Sequence, residues 1–276
     1  MGAVVSVQIG SAVATHIFDA VSPAGATLLR VGFGAVILLT LWRPRLRRYS
    51  RFAYRDAILF GLTTASMNLS FYSALNRIPL GIAVTLEFLG PLTLAVLGSR
   101  RALDLLWVGF AICGVLLLTP VGPAVHHIDP VGVLFAVMAG VCWSFYILLS
   151  ARVGRAFTGG NGLAIALLTG GLALLPIGIL TAGPRLLDAR VLLVGLAVAL
   201  LSAVIPYSLE MEALRSIPTR LFGVLMSTEP AVGALVGFII LRQILSPRAV
   251  AAIILIMAAS IGATRDSTEQ TVPPPA

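Results

Sequence analysis

The chain has 276 residues, 58% of them hydrophobic and only 11% charged, with a mean hydropathy of +1.01. A soluble domain carries about 25% charged residues, and the polar cover that a folded surface needs is missing here, so a soluble enzyme, a disordered chain and a secreted disulfide scaffold are excluded. The net charge is +8 and every basic residue is an arginine, placed between long apolar runs where orientation signals belong rather than in a nucleic-acid patch, so no nucleic acid is expected as a partner.

At about 20 residues per span the chain holds ten apolar segments, near 2–20, 23–42, 56–76, 79–98, 102–119, 130–150, 161–182, 189–211, 218–241 and 247–264. The first lacks a basic leader and a small-residue cleavage site, so it reads as a span and not a secretory signal. It starts almost at Met1, which leaves room for a further piece upstream. His16 lies in its outer half without a second ligand at helical spacing, and packing is the simpler role. Ser22-Pro23 then separates the first two segments with almost no loop, and Arg77-Ile78-Pro79 does the same for the third and fourth. Cys113 and Cys142 lie inside apolar runs without a Cys-x-x-Cys pattern and read as small buried hydrophobes. His126-His127 reads as part of an exposed outer turn, and the polar tail after Arg265, ending in three prolines, as disordered. Gly233-x-x-x-Gly237 and Ala258-x-x-x-Gly262 are small-residue contact motifs, which suit packing within the chain or a homodimer face.

Counting arginines gives the direction of insertion. With the first residue inside, thirteen fall on the cytoplasmic side and five outside (Arg77, Arg185, Arg190, Arg242, Arg248), the six of the Arg43–Arg55 run carrying most of the asymmetry and Arg30 lying within a span. Both ends are therefore expected in the cytoplasm. The chain also repeats itself. Ala74-Leu75, Ile78-Pro79 and Pro91 recur as Ala213-Leu214, Ile217-Pro218 and Pro230, all at an offset of 139 residues. Five spans per half make the second half enter the membrane the opposite way. The expected fold class is an all-α polytopic membrane protein, ten transmembrane helices as two inverted five-helix repeats, over 1–120 and 130–265, with a tail over 266–276. Inverted repeats around a midplane site are the architecture of secondary transporters.

With Phe18-Asp19-Ala20, Pro23-Ala24-Gly25-Ala26-Thr27-Leu28-Leu29-Arg30 and Glu87-Phe88-Leu89-Gly90-Pro91, the chain resembles the EamA family of the drug/metabolite transporter superfamily, and in particular its threonine/homoserine exporter subgroup. The resemblance implies two EamA repeats in the bacterial plasma membrane and efflux of small metabolites, amino acids above all, against proton entry, without a cofactor. Efflux of lipophilic cations by the same fold is the alternative. An intramembrane enzyme is disfavoured because the sequence has no His-Glu-x-x-His, Gly-x-Ser-x-Gly or P-loop; the missing P-loop also argues against an ATP-driven pump.

An ionisable side chain at bilayer depth costs about 2.5–3.5 kcal/mol, so each one asks for a reason. Arg30, Glu87 and Glu229 are the deep ones; Asp19, Glu210 and Glu212 lie nearer span ends. Arg30 offers a planar fork for a substrate carboxylate, or else neutralises Glu87 or Asp19. Glu87 stands four residues before Pro91, whose missing N–H frees the Glu87 carbonyl; it is a candidate for an ammonium group or a proton, or for an ion pair with Arg30. Glu229 precedes Pro230 in the second half, so Glu87 and Glu229 are the candidates for proton coupling. Asn68 and Tyr72 share one face of the third span, Trp143 and Tyr146 one face of the sixth, and Tyr207 and Glu210 repeat the arrangement in the eighth. Arg30, Asn68, Tyr72, Glu87, Trp143, Tyr146 and Tyr207 together would line a small-metabolite cavity with aromatic walls, the aromatic and amide residues among them having helix–helix contact as their other role.

Overall fold

The computed structural model describes residues 1–44, 49–97, 103–118, 128–206, 209 and 226–266, and every regular element among them is helical. In chain order these are α1 (Gly2–Thr15), α2 (Phe18–Trp42), α3 (Arg51–Leu75), α4 (Leu80–Glu87), α5 (Leu89–Leu97), α6 (Leu103–Leu118), α7 (Pro130–Ala156), α8 (Asn161–Ala182), a 3-10 turn (Gly183–Leu187), α9 (Ala189–Ala199) continued by a π-helical turn (Leu200–Val204), α10 (Glu229–Leu241) and α11 (Pro247–Asp266). Each of the ten apolar segments is mainly helical over its described part, with breaks inside the first, fourth and ninth. Phe18–Trp42, Arg51–Leu75, Pro130–Ala156 and Asn161–Leu187 are long and apolar enough to cross a membrane by themselves. Leu180, Leu193, Phe238 and Ile254 are among the large apolar side chains on the outer surface, which in a multi-pass protein faces acyl chains.

The first boundary differs from the sequence expectation. The chain leaves α1 at His16–Ile17, six residues before Pro23, and His16 Nδ1 turns back to the Ala12 carbonyl at 3.1 Å. Ser22-Pro23 is still a break: Ser22 has φ 60° and ψ 167°, its hydroxyl accepts from Gly25 N–H at 3.4 Å, and Pro23 follows where a helix needs no N–H. Asp19 is exposed on this turn rather than beside Arg30.

Helix lengths follow from their caps. Ser50 accepts from Ala53 N–H at 3.2 Å, so α3 starts at Arg51, earlier than hydropathy indicates. Asp129 accepts from Val131 N–H at 2.8 Å and starts α7 at Pro130. The fourth and ninth segments are each interrupted, at Phe88 and at Ser227–Thr228, positions that correspond at the 139-residue offset. In each the cause is a proline three residues beyond the first broken position. Pro91 cannot donate to Glu87, and Pro230 cannot donate to Met226.

Small residues let the helices approach closely. A side chain at Gly61 on α3 would overlap the Ala166 carbonyl on α8, and one at Gly170 would lie 2.7 Å from the Gly61 carbonyl. Gly233 faces Val84, Gly237 faces Leu80 and Gln243, and Gly262 faces Trp107. Both small-residue motifs of the last two segments are thus used for packing within the chain. Trp107 is drawn into that contact and a 5.8 Å edge contact with Phe110, while Trp42 covers Gly159 and Gly160 at the turn into α8. Cys142 is half-buried, but Cys113 is exposed on the outer surface of α6, which corrects its reading as buried: an apolar run faces lipid as readily as it faces the core. His126-His127 and the tail after Asp266 lie outside the described residues.

Candidate functional site

Buried polar groups collect where α1, α2, α3, α4, α10 and the π-helical turn meet. Arg30, on α2, is 6% exposed. Its Nη2 donates to the Ser202 carbonyl at 2.9 Å and its Nη1 to the Tyr72 hydroxyl at 3.3 Å, with the guanidinium 5.4 Å from the Tyr72 ring centre. Tyr72 is fully buried and packs on Phe18 at 5.4 Å. One arginine therefore ties α2 to α3 and to the second half of the chain.

The π-helical turn explains why a carbonyl is there to receive it. The Ile205 N–H reaches back to Leu200 rather than to Leu201, and Pro206 has no N–H for either Leu201 or Ser202. Two carbonyls are left over. Ser6 Oγ on α1 donates to Leu201 at 2.6 Å and Arg30 donates to Ser202. Neither Ser6 nor Ser202 was picked out from the sequence. The signal was present, since Pro206 stands four residues after Ser202 just as Pro91 stands four after Glu87.

Glu87 ends α4 and Glu229 begins α10, both largely buried. The Glu87 carboxylate accepts no hydrogen bond among the described residues, and Arg30 is a cation whose charge reaches it without a 4.0 Å ion pair. A carboxylate at the end of a helix opposes the helix dipole, whereas one in the first turn is favoured by it. The two acids are therefore not interchangeable, and Glu87 is the one that calls for a partner cation. The freed Glu87 carbonyl lies against α7, only 2.6 Å from where a Gly140 side chain would begin, and Gly90 in turn meets the Gly140 carbonyl. This corrects the expectation that the carbonyl faces a ligand: the kink is used to bring α4, α5 and α7 into backbone contact.

The remaining candidates divide. Asn68 is buried and donates to the Thr64 carbonyl of its own helix at 2.7 Å. Trp143 stands edge-on to Phe88 at 5.4 Å, beside the kink. Tyr146 lies 4.9 Å from Phe60 in the α3–α7 seam, a helix-contact position. Tyr207 and Glu210 lie outside the described residues. Gln8 and Ser11 on α1 were not picked out, because short polar residues near a chain start carry no charge to mark them; they are 1% and 0% exposed.

A separate cavity of about 470 Å³ lies between α5 and α6, lined by Leu89, Leu92, Val108, Ala111 and Ile112 among others. Its polar residue, Thr93, donates to the Leu89 carbonyl at 2.7 Å. Such a pocket suits a hydrocarbon and offers nothing to a zwitterion.

Comparison with known proteins places this geometry. The EamA-like transporter family matches residues 130–265. The threonine/homoserine exporter RhtA of Escherichia coli (strain K12) is 43% identical over 262 residues, covering 95% of this chain and 88% of that protein. Its counterpart in Salmonella typhimurium (strain SL1344) is 41% identical over 259 residues, covering 94% and 88%. A crystal structure 22% identical in sequence superposes with a TM-score of 0.66, covering 98% of this chain and 97% of that one, and shares the fold.

Proposed function

This chain belongs to the EamA-like transporter family, and we propose that it carries amino acids of the threonine and homoserine kind out of the cell, by alternating access between two inverted repeats and in exchange for protons. As a member of that family it is a transporter and not an enzyme. The observation that carries the reading is the burial of Arg30 within α2, its charge reaching Glu87, together with the burial of Glu87 and Glu229 at helix breaks in the two halves. Arg30 takes the substrate carboxylate, with Tyr72 and the Ser202 carbonyl holding the fork in the bundle interior. Glu87 takes the ammonium group. Asn68 and Trp143 complete the wall, Tyr146 supports it from the α3–α7 seam, and Tyr207 is assigned only by its spacing from Glu210 along the eighth span. Glu87 and Glu229 carry the proton exchanged for substrate.

The packing supports the repeats over 1–120 and 130–265. Exchanging the halves turns α3 against α7 into α9 against α1, and α5 against α7 into α10 against α1; all four pairs are in contact. Gly32 and Gly171, equivalent at the 139-residue offset, meet each other, a Gly171 side chain starting 3.7 Å from Gly32 Cα. The arginine distribution supports a bacterial inner-membrane protein with both ends in the cytoplasm. The tail over 266–276 lies on that side, and a homodimer is not needed to form the site.

The test is efflux of radiolabelled threonine from loaded cells or vesicles, with and without a proton uncoupler. Export that collapses with the uncoupler and with Glu87→Gln plus Glu229→Gln supports the reading. Undiminished proton-driven export by the double variant overturns the coupling assignment. Export of a lipophilic cation with none of threonine would favour the drug-efflux alternative.

A further inference from the structure

Four buried hydroxyls in this bundle are engaged by their own helix. Thr27 donates to Pro23, Thr64 to Phe60, Thr85 to Gly81 and Ser202 to Val198, all carbonyls one turn back. Ser11 is the contrast. Its Oγ is fully enclosed and, among the described residues, bonds neither one turn back nor across to another helix. Gln8, three residues earlier and on the same face of α1, has an Oε1 equally enclosed and, among the described residues, equally without a partner. A buried polar atom left unmatched in a dry interior is costly, and the cost is recovered when a ligand brings the missing group.

The position of Gln8 says where that ligand sits. Its Oε1 is 3.4 Å from the point where a Gly233 side chain would begin, and Val84 closes the same spot at 3.1 Å. Gln8 thus occupies the seam of α1, α4 and α10. Val84 is one turn from Glu87, and Gly233 one turn from Glu229. The side chain of a helical residue leans toward the helix start; α1 and α10 run the same way here, Met1 lying against Thr228 and Gln8 against Gly233. Gln8 therefore leans toward the level of the two acids.

An amide and a hydroxyl both donate and accept, and neither carries charge. They match a neutral polar group better than either charged end of an amino acid, which Arg30 and Glu87 already match. We infer that Gln8 and Ser11 form the subsite that reads the side-chain hydroxyl of the exported amino acid, and so set the preference for hydroxylated substrates. This rests on the amino-acid export proposed above. A site built to bond a hydroxyl discriminates strongly against the analogue lacking it, whereas a hydrophobic wall does not.

The experiment compares threonine with valine, which replaces the hydroxyl by a methyl of similar size, as radiolabelled substrates for counterflow in vesicles carrying the full chain. The wild-type protein is expected to favour threonine by at least about tenfold, and Gln8→Leu to lower the threonine-to-valine ratio by about tenfold or more. Ser11→Ala, too small a change to threaten folding, is expected to lower it about fivefold; it decides the matter should the Gln8 variant be absent from the membrane. Ratios within twofold of wild type in variants present at normal levels overturn the subsite and leave export standing, as does a wild-type protein that moves both substrates equally. Failure of the wild-type protein to move either one overturns the export reading together with it.

Discussion

Arg30 is expensive to bury, and its partners show how the expense is met. A guanidinium donates through five N–H groups in a rigid plane, and here two of its nitrogens reach across to separate elements, the Tyr72 phenol at 3.3 Å and the Ser202 carbonyl at 2.9 Å. Both contacts stay in place during transport and hold the plane of the fork in the orientation in which it meets a carboxylate. Tyr72→Phe keeps the ring under the guanidinium and its packing on Phe18 but removes the oxygen. Losing one such hydrogen bond is worth about 1 kcal/mol, so the half-saturation constant for threonine counterflow should rise about fivefold with little change in thermal stability. A constant within twofold of wild type would mean that Tyr72 supports the helices alone. Arg30→Lys cannot reproduce the fork and should cost more, with loss of threonine exchange greater than tenfold in the same assay.

Prolines decide the shape of the elements, and they decide how much of that shape could be read in advance. Pro91 and Pro230 were legible because they recur at a fixed offset, and the interruptions at Phe88 and Ser227–Thr228 follow from the N–H groups they lack. The ten segments were legible because a bilayer demands continuous apolar runs; the cap at Ser50 moved one start by five residues, and that at Asp129 starts α7 at Pro130 as expected. The path from α1 to α2 was not, since His16-Ile17 is no breaker; Pro23 marked where a helix starts and left the end of the one before it unmarked. Nor was the π-helical turn, which depends on Ile205 choosing Leu200 over Leu201 as acceptor. At the site, charged residues announced themselves by their cost, while Gln8, Ser11 and Ser6 did not because a neutral polar residue on a helix is ordinary until its partners are known. Pro206→Ala tests the π-helical turn directly. It supplies an N–H able to bond Ser202, competes with Arg30 for that carbonyl, and lets the turn relax to α-helix. Threonine exchange should fall several-fold even though a proline-to-alanine change inside a helix raises intrinsic helix stability by up to about 3 kcal/mol. A variant both more heat-stable and fully active would show that the turn contributes nothing to transport. Gln243 provides a second test of elements: its Oε1 accepts from Leu80 N–H at 2.9 Å and so caps α4 from the chain after α10. Gln243→Ala should lower stability by about 1 kcal/mol, as loss of an N-terminal cap does, read as an earlier thermal midpoint in detergent.

Across the whole molecule, the two halves touch along seams that a rocking motion would load differently. The end of α3 is held to the start of α7 by Arg77 and Asp129, 3.0 Å apart and partly exposed. The hydrogen bond from Arg77, and then that from Val131 N–H, hold the Asp129 carboxyl below the usual carboxylate range. A lowered folded-state value means that the clamp stabilises the bundle fully above the ordinary carboxylate pKa of about 4 and releases it as pH falls through the lower folded value. Asp129→Asn should therefore narrow the stability difference between neutral and acid solution, the gap from wild type closing at low pH. That clamp stands at the rim, whereas Gly32 and Gly171 meet where the exchange of halves maps α2 and α8 onto each other. Rigid-body rocking changes separations least near its axis and most at the rim. Cysteines at Gly32 and Gly171, where a Gly171 side chain would start 3.7 Å from Gly32 Cα, should form a disulfide that leaves most of the threonine exchange intact. Cysteines at Arg77 and Gly132, where a Gly132 side chain would start 2.9 Å from Arg77 Cβ, need less than about 1 Å of adjustment to reach disulfide geometry. Once oxidised, that pair should stop exchange, and reduction should restore it, with each single variant active throughout. If exchange survives the rim disulfide as well as the axial one, the halves do not rock about this axis, and access to Arg30, Glu87 and Glu229 must alternate by the bending of single helices at Pro91 and Pro230 instead.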